Sequence, residues 1–359
     1  MAERTRYQRN IAGGLQRAFS SAASRECDRA PGDIRYIVFS DHHRGGRAST
    51  DDFRLCERAY VAALGYYLEK GFTLLALGDV EELWAGHIDR AVASYPAAVE
   101  LEREFHIQNR YVRFFGNHDD LWSSPHEVER HLAPKYGGEL EVLESMRVRI
   151  LNDGGQLGTL FFTHGHQGEF WSDRHGWLGR WGAQKFLHPY KRLTRTPAVT
   201  PATDNRLRKR HNIAMYLWAA RMERVVLIAG HTHKPVFLTE GNTEDLADRL
   251  DERRGDPAVS EDEIARDRAE LEWIRAQQRL RCYEVEEELR PLKPCYFNAG
   301  CCSFRDGDVT GLEIAEGQVR LVRWPDDHKR PIPKVLAEVG LKDVFTQVAT
   351  GDGNPVPCV

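Results

Sequence analysis

Five apolar runs along the chain each end in a short cluster of Asp, Glu, His or Asn residues. The runs have the length and composition of buried strands, for example IRYIVFS at 34–40 and VVLIA at 225–229. The clusters are, in chain order, Ser40-Asp41-His42-His43, Gly78-Asp79-Val80-Glu81-Glu82, Gly116-Asn117-His118-Asp119, Thr163-His164-Gly165-His166 and Gly230-His231-Thr232-His233. In open α/β sheets the carboxyl ends of the strands line the ligand crevice. The pattern therefore predicts that five strands carry polar side chains to one rim of the fold.

The segments between these runs alternate in character, which is typical of an α/β fold. Residues 51–70 are predicted to form a helix, because two aspartates suit its first turn and Gly71 follows its end. A second helix is predicted at 87–105, interrupted near Pro96. Further strands are predicted at 72–77, 110–115, 140–151, 157–163, 294–298, 308–314 and 318–324.

The chain of 359 residues is 41% hydrophobic and can bury a large core, as one large domain with insertions or as two domains. We predict an N-terminal extension at 1–30, a main domain at 31–330 and a C-terminal tail at 331–359. The extension is predicted to be helical, although its arginine content also fits a transit peptide. Residues 167–221 suit a cap over a substrate. The charged stretch 240–290 suits solvated helices and offers a homo-oligomer contact.

Composition argues against several classes of partner and location. The formal net charge of −4 gives no overall attraction to nucleic acid or anionic lipid. The apolar runs are far shorter than the roughly 20 residues of a membrane-spanning helix. Seven cysteines, with no C-x-x-C, do not resemble a disulfide framework. The sequence therefore predicts a cytoplasmic protein with reduced thiols and no membrane span.

The residue types in the five clusters suit divalent metal ions. Mixed carboxylate, imidazole and amide ligands fit Mn²⁺, Fe or Zn²⁺, and the absence of thiolates argues against a structural zinc site. One carboxylate between two cations can bridge them at roughly 3.5–4 Å. Such a pair would polarise phosphate oxygens and lower the pKa of a shared water, making it the nucleophile. The clusters therefore predict a two-metal phosphoesterase.

The clusters resemble, in order and spacing, the five motifs of the calcineurin-like metallophosphoesterase superfamily: D-x-H, G-D-x-x-[DE], G-N-H-[DE], a strand-end His-Gly, and G-H-x-H. The resemblance extends from about residue 34 to 325. It implies an α/β fold in which a two-sheet sandwich is flanked by helices, in α-β-β-α layers with helical insertions. It also implies two divalent cations, with Mn²⁺ favoured and Fe or Zn²⁺ as alternatives.

The resemblance also implies a role for each matching residue. The implied metal ligands are Asp41, His43 and His233 for the first cation, Asn117, His164 and His231 for the second, and Asp79 between the two. His118 matches the histidine that faces the scissile phosphate and protonates the leaving oxygen or stabilises charge. Glu82 occupies the acidic position that orients this histidine, and Asp119 is a second candidate. The other histidines, among them His42 and His211, are interpreted as surface or packed core residues.

Within the superfamily, the run GDVEELWAG at 78–86 is similar to the G-D-x-x-E-x-W-x-G run of UDP-2,3-diacylglucosamine hydrolases. Those enzymes cleave a pyrophosphate and carry a cap at the place of residues 167–221. The chain departs from them at His118, where many have Arg, and in the 240–290 insertion. The leading hypothesis is therefore a phosphohydrolase of a small phosphorylated metabolite. The alternatives are a nuclease or cyclic-nucleotide phosphodiesterase and, more remotely, an inactive interaction scaffold.

Overall fold

The structure is a computed structural model that describes residues 6–21, 24–48, 51–84, 88–152, 154–169, 205–237, 293–326 and 331–349. Most of the predicted cap and all of the predicted charged insertion at 240–290 lie outside the described residues. The predicted oligomer contact through that insertion lies outside them as well.

The described residues form helices and strands that alternate along much of the chain. The helices are α1 (Arg6–Ser20), α2 (Phe53–Glu69), α3 (Ile88–Ala93), α4 (Pro96–Ile107), α5 (Pro125–Glu127), α6 (Ala133–Tyr136), α7 (Asn205–Ala219) and α8 (Leu341–Ala349). The strands are β1 (Arg25–Arg29), β2 (Arg35–Phe39), β3 (Thr73–Leu77), β4 (Tyr111–Phe114), β5 (Val142–Leu143), β6 (Ser145–Asn152), β7 (Gly155–Thr163), β8 (Val225–Ala229), β9 (Val236–Phe237), β10 (Tyr296–Asn298), β11 (Val309–Ala315), β12 (Gln318–Trp324) and β13 (Lys334–Gly340).

In the described part of the chain, the strands form two mixed sheets. One has the order β1-β6-β7-β8-β10-β9 and the other the order β13-β12-β11-β2-β3-β4-β5. Strands β2, β3 and β4 are parallel neighbours, as are β7 and β8. The five polar clusters follow these five strands directly. Parallel pairing therefore brings three clusters to one end of one sheet and two to one end of the other.

Strand β3, near the middle of the second sheet, is buried on both faces, which explains its apolar sequence. On β3, Leu75 and Leu77 belong to the core between the two sheets, whereas Leu74 and Ala76 belong to the core beneath helices α2 and α4. Helices α1, α7 and α8 pack on the other sheet. The layers are therefore helix, sheet, sheet, helix, and the predicted fold class is confirmed.

Some elements differ from the sequence predictions. The strand predicted at 140–151 is two strands, because β5 pairs with β4 in one sheet while β6 pairs with β7 in the other. Strands β1 and β13 lie in segments expected to be an extension and a tail. β1 carries mostly charged, half-exposed side chains, so no apolar pattern marks it. The domain boundaries stay predictions.

Among the residues that the structure describes, no helix combines the length and hydrophobicity that crossing a bilayer requires. The cysteines described there, Cys27, Cys56, Cys295, Cys301 and Cys302, are free thiols.

A buried ionic network lies beneath the loops that follow β2 and β3. The Glu102 carboxylate on α4 accepts hydrogen bonds from Arg44 at 2.5 Å, from Tyr60 at 2.9 Å and from Tyr136 at 2.6 Å. Arg113 donates to the Tyr136 hydroxyl at 2.9 Å. Arg44 directly follows His43 in the chain, so this network anchors the loop after β2 to α4.

Replacing Glu102 with Ala is expected to destabilise the protein by about 3–5 kcal/mol, because the change leaves a buried guanidinium without its counter-charge. The matched control is Glu100→Ala on the same helix, where the side chain is 61% exposed and pairs with Arg103. The control should change the free energy of unfolding by less than about 0.5 kcal/mol. Urea denaturation measures the free energy of unfolding of both variants. Equal urea midpoints for the two variants would contradict the prediction.

Candidate metal centre

Five residues in the polar clusters have left-handed backbone conformations that non-glycine residues rarely adopt. The φ angles are 55° at Asp41, 51° at His43, 51° at Asp79, 69° at His231 and 57° at His233. Such conformations cost on the order of 1–3 kcal/mol each and cluster at functional sites. The strain is therefore concentrated at residues predicted to bind metal.

Backbone hydrogen bonds hold these loops together beyond the ends of the strands. The amide of His43 donates to the Asp79 carbonyl at 2.9 Å, and that of Arg44 donates to the Val80 carbonyl at 2.9 Å. The Glu82 amide donates back to the Arg44 carbonyl at 3.0 Å. The parallel pairing of β2 with β3 thus continues into the loops and fixes their separation.

The first group of potential ligands is Asp41, His43 and His233. The Nε2 atoms of His43 and His233 lie 2.9 Å apart. Asp41 Oδ1 lies 3.2 Å from His233 Nε2 and 3.8 Å from His43 Nε2. Two imidazole nitrogens and one carboxylate oxygen thus converge on one point, as cation ligands do.

The second group is Asp79, His164 and His231. The Nδ1 of His164 lies 2.8 Å from the Leu77 carbonyl oxygen, which can only accept, so Nδ1 carries the proton. In the neutral ring the lone pair is therefore on Nε2, which lies 3.2 Å from Asp79 Oδ2. The same oxygen lies 3.7 Å from His43 Nε2. Asp79 thus lies between the two groups, in the position predicted for the bridging carboxylate.

Three buried polar atoms at the centre make no hydrogen bond among the described residues: Asp41 Oδ1, Asn117 Oδ1 and His164 Nε2. Buried polar groups in native proteins are almost always satisfied. All three atoms have lone pairs, and all three belong to predicted ligands. A pair of divalent cations held on carboxylate, imidazole and amide oxygen fits this set, so the residues present suit the predicted metals.

Burial would raise the pKa of the two central carboxylates, but neighbouring histidines outweigh it. His233 and His164 hold the pKa of Asp41 well below its usual value, and His164 and His118 do the same for Asp79. Burial lowers the pKa of His164, yet Asp79 and Asp41 raise it to about 9. Cation binding at this histidine would displace a proton, so metal affinity should fall with decreasing pH.

His118 lies beside the centre with its ring held on two sides. Its Nδ1 is 2.7 Å from Glu82 Oε2, and Trp84 stacks on the ring with centroids 4.1 Å apart and planes at 21°. Glu82 also reaches His43 Nδ1 at 3.4 Å. The carboxylate fixes Nδ1 as a donor, which leaves His118 Nε2 for other chemistry. Glu82 therefore has the geometry predicted for the orienting residue.

Asp119, the second candidate for that role, has different partners. Its carboxylate accepts backbone N–H bonds from Gly116 at 2.7 Å, Val80 at 2.9 Å and Asp79 at 3.2 Å. Burial and the charges of Asp79 and Glu81 raise the pKa of Asp119. Asp119 joins the loop after β4 to the loop after β3 and makes no contact with the His118 ring.

Two side chains next to His231 were not among the site residues predicted from the sequence. Glu169 Oε1 lies 3.1 Å from His231 Nε2, and the buried His211 on α7 lies 3.4 Å from the same carboxylate. Trp84, which was given no role in the sequence analysis, stacks on His118 and is 39% exposed, so it lies at the rim. The sequence did contain a signal for a position of Trp84 near the centre, since Trp84 follows Glu82 by two residues. His211 had none, because a lone histidine on a helix is usually structural.

A model of the calcineurin-like phosphoesterase family matches residues 34–235, which is more than half of the chain. The chain belongs to this family. It is therefore a metal-dependent phosphoesterase, as the five clusters and their resemblance predicted, and divalent metal ions are implied. The matched range includes all of the predicted metal ligands, from Asp41 to His233.

Among solved structures, this phosphoesterase is similar to two forms of vacuolar protein sorting 29. The protein from Cryptosporidium parvum is 12% identical, with 86% of this chain and 98% of that chain covered and a TM-score of 0.33. A single mutant of Vps29 from Entamoeba histolytica is also 12% identical, with 86% and 100% covered and a TM-score of 0.31. No curated protein sequence matches the chain.

Proposed function

We propose that this phosphoesterase uses two divalent cations, with Mn²⁺ favoured, to hydrolyse a phosphate ester or pyrophosphate of a small phosphorylated metabolite. The observation that carries the proposal is the position of Asp79 Oδ2, 3.7 Å from His43 Nε2 and 3.2 Å from His164 Nε2. One carboxylate oxygen within reach of two ligand groups is what a shared pair of cations requires.

When bound, the cations would neutralise phosphate oxygens and acidify the attacking water. The side chains of the protein would hold the cations and position the proton donor. Asp41, His43 and His233 hold one side of the centre, and Asn117, His164 and His231 hold the other. Glu82 keeps the Nδ1 of His118 as a donor, so Nε2 moves a proton to the leaving oxygen or donates to a phosphate oxygen. Trp84 covers one face of the His118 ring and keeps water from it.

The substrate class we favour is a nucleotide-linked pyrophosphate, on the branch that resembles UDP-2,3-diacylglucosamine hydrolases. The run from Gly78 through Trp84 supports this, because it is similar to the G-D-x-x-E-x-W-x-G run of those enzymes. The exposed part of Trp84 offers an apolar surface beside the predicted reaction centre. The free thiols at the described cysteines support a reducing compartment such as the cytoplasm.

Metal removal tests the proposal. Protein reconstituted with Mn²⁺ should hydrolyse bis(p-nitrophenyl) phosphate or p-nitrophenyl phosphate, and EDTA should abolish turnover until Mn²⁺ is restored. Metal content should be two ions per chain by plasma mass spectrometry. Full turnover by protein shown to be free of metal would refute the proposal.

A substrate panel then separates the candidate reactions. Nucleotide-sugar pyrophosphates, phosphomonoesters, cyclic nucleotides and single-stranded DNA should be compared by kcat/KM at fixed salt. We expect the nucleotide-sugar pyrophosphates to have the highest kcat/KM. A preference for single-stranded DNA or a cyclic nucleotide would favour a nuclease or a cyclic-nucleotide phosphodiesterase on the same metals.

A further inference from the structure

Beside His231, a chain of polar side chains leads away from the metal centre. Glu169 Oε1 lies 3.1 Å from His231 Nε2. The Tyr7 hydroxyl on α1 lies 2.7 Å from His211 Nδ1 and 3.4 Å from Glu169 Oε1. The other nitrogen of His211, Nε2, lies 2.8 Å from the Gly165 carbonyl oxygen. These groups come from α1, from the loop after β7 and from α7, so the fold assembles them from distant parts of the chain.

The hydrogen-bond partners decide where the protons are. The Gly165 carbonyl can only accept, so His211 donates from Nε2. The Tyr7 hydroxyl donates to Glu169 Oε1 at 3.4 Å and lies 2.7 Å from His211 Nδ1. This arrangement fixes the orientation of the Tyr7 hydroxyl over Glu169.

The same reasoning fixes the tautomer of His231. An ionised Glu169 can only accept, so His231 donates from Nε2, and its lone pair is on Nδ1. Metal-binding histidines usually donate their second ring N–H to a carboxylate or carbonyl, which orients the ring and raises its basicity. His164 makes this contact through the Leu77 carbonyl. Glu169 makes it for His231.

Helix α1 packs closely against the loop that carries Glu169. A Cβ on Gly14 would lie 2.3 Å from the Gly168 amide nitrogen, and a Cβ on Gly168 would lie 2.1 Å from the Asn10 carbonyl oxygen. Two glycines therefore allow backbone to meet backbone, and Gly168 also has a φ of 87°. Ile11 and Leu15 bury the adjoining face of α1 in the core.

We infer that Glu169 is a positioning residue for His231 at the second cation site, and that Tyr7 and His211 hold Glu169 in place. The N-terminal helix is thereby part of the metal centre, although it lies outside the five motifs. The inference rests on the proposed two-metal function, because it concerns the affinity of one of the two cations.

A different reading of the same geometry is a third cation on Glu169, His211 and His231, whose ligand atoms lie within 4.8 Å of one another. The hydrogen-bond partners of His211 argue against it, because its Nε2 lies 2.8 Å from the Gly165 carbonyl oxygen and its Nδ1 lies 2.7 Å from the Tyr7 hydroxyl. The number of ions bound distinguishes the two readings.

Calorimetric titration of the metal-free protein with Mn²⁺ tests the inference. The wild type should bind two ions. Glu169→Gln should weaken one of the two sites by about 10–100-fold and leave the other unchanged, since the carboxylate no longer anchors His231. Tyr7→Phe should weaken the same site by about 5-fold, the effect of one hydrogen bond. The double variant should match Glu169→Gln, because Tyr7 acts through Glu169.

Glu57→Gln is the matched control, since Glu57 is 21% exposed and paired with Arg47, close to the 19% of Glu169. It should leave both dissociation constants unchanged.

Two ions bound with unaltered affinity in Glu169→Gln would overturn the inference. Three ions in the wild type and two in Glu169→Gln would overturn it in favour of the third-cation reading. No binding by the wild type would instead refute the proposed function. If Glu169→Gln does not fold, Tyr7→Phe decides, and an unaltered affinity there overturns the inference.

Discussion

Asn in place of Asp79 is expected to lower kcat by about 10³-fold or more and to reduce the metal content below two ions per chain. Asp79 Oδ2 faces His43 and His164, while Oδ1 accepts the His118 amide at 2.8 Å. An Asn side chain has one NH₂ group, which must face either the cations or the His118 N–H. In either orientation the NH₂ group meets a repulsive partner, the cations in one case and the His118 N–H in the other. The negative charge that the two cations would share is also lost.

The measurements are turnover of bis(p-nitrophenyl) phosphate and metal content by plasma mass spectrometry. Asp308→Asn is the matched control, because Asp308 is also buried and pairs with Arg323, at the start of β11. It should lower thermal stability without changing metal content. An Asp79→Asn protein with two ions and full turnover would show that no shared carboxylate is needed.

Replacing His118 with Ala is expected to lower kcat by about 10²–10⁴-fold while two ions remain bound. The ligand groups around Asp41 and Asp79 do not include the His118 side chain. Its ring is held by Glu82 and Trp84, which is the arrangement of a proton donor. The loss should be larger for an alkyl phosphate than for a p-nitrophenyl ester, because a poor leaving group depends more on protonation.

His131→Ala is the matched control for His118. His131 is also largely buried, and its Nδ1 lies 3.0 Å from an Asp89 carboxylate oxygen. It should leave kcat unchanged. If His118→Ala released a metal ion, His118 would be a ligand together with His43 and Glu82, whose ligand atoms lie within 4.8 Å of its own. An equal loss for both leaving groups would favour charge stabilisation over proton transfer.

Much of the fold could be predicted from the sequence because its signals are local. Strands β8 and β12 were predicted to the residue. An unbroken apolar run marks β8 as a buried strand, and apolar residues that mostly alternate with polar ones mark β12 as a half-buried strand. The break before α4 was predicted from Pro96, which begins that helix. Strand β1 was missed because its charged side chains carry no such pattern. β5 and β6 were predicted as one strand, since the assignment of a strand to a sheet depends on distant partners.

The clusters that contain the candidate ligands were located from local order, because each follows an apolar strand and parallel strands that share a sheet end at the same edge. The resemblance to the superfamily then named the ligands within the clusters. Their roles as ligands stay predictions. What the sequence by itself determined is therefore the set of groups that meet at the rim. The tertiary structure alone decided which carboxylate lies against the His118 ring, and that Tyr7, Glu169 and His211 meet beside His231. Those side chains come together only when α1 and α7 pack on the sheet, so the contact joins residues more than 200 positions apart, and no spacing along the chain encodes it.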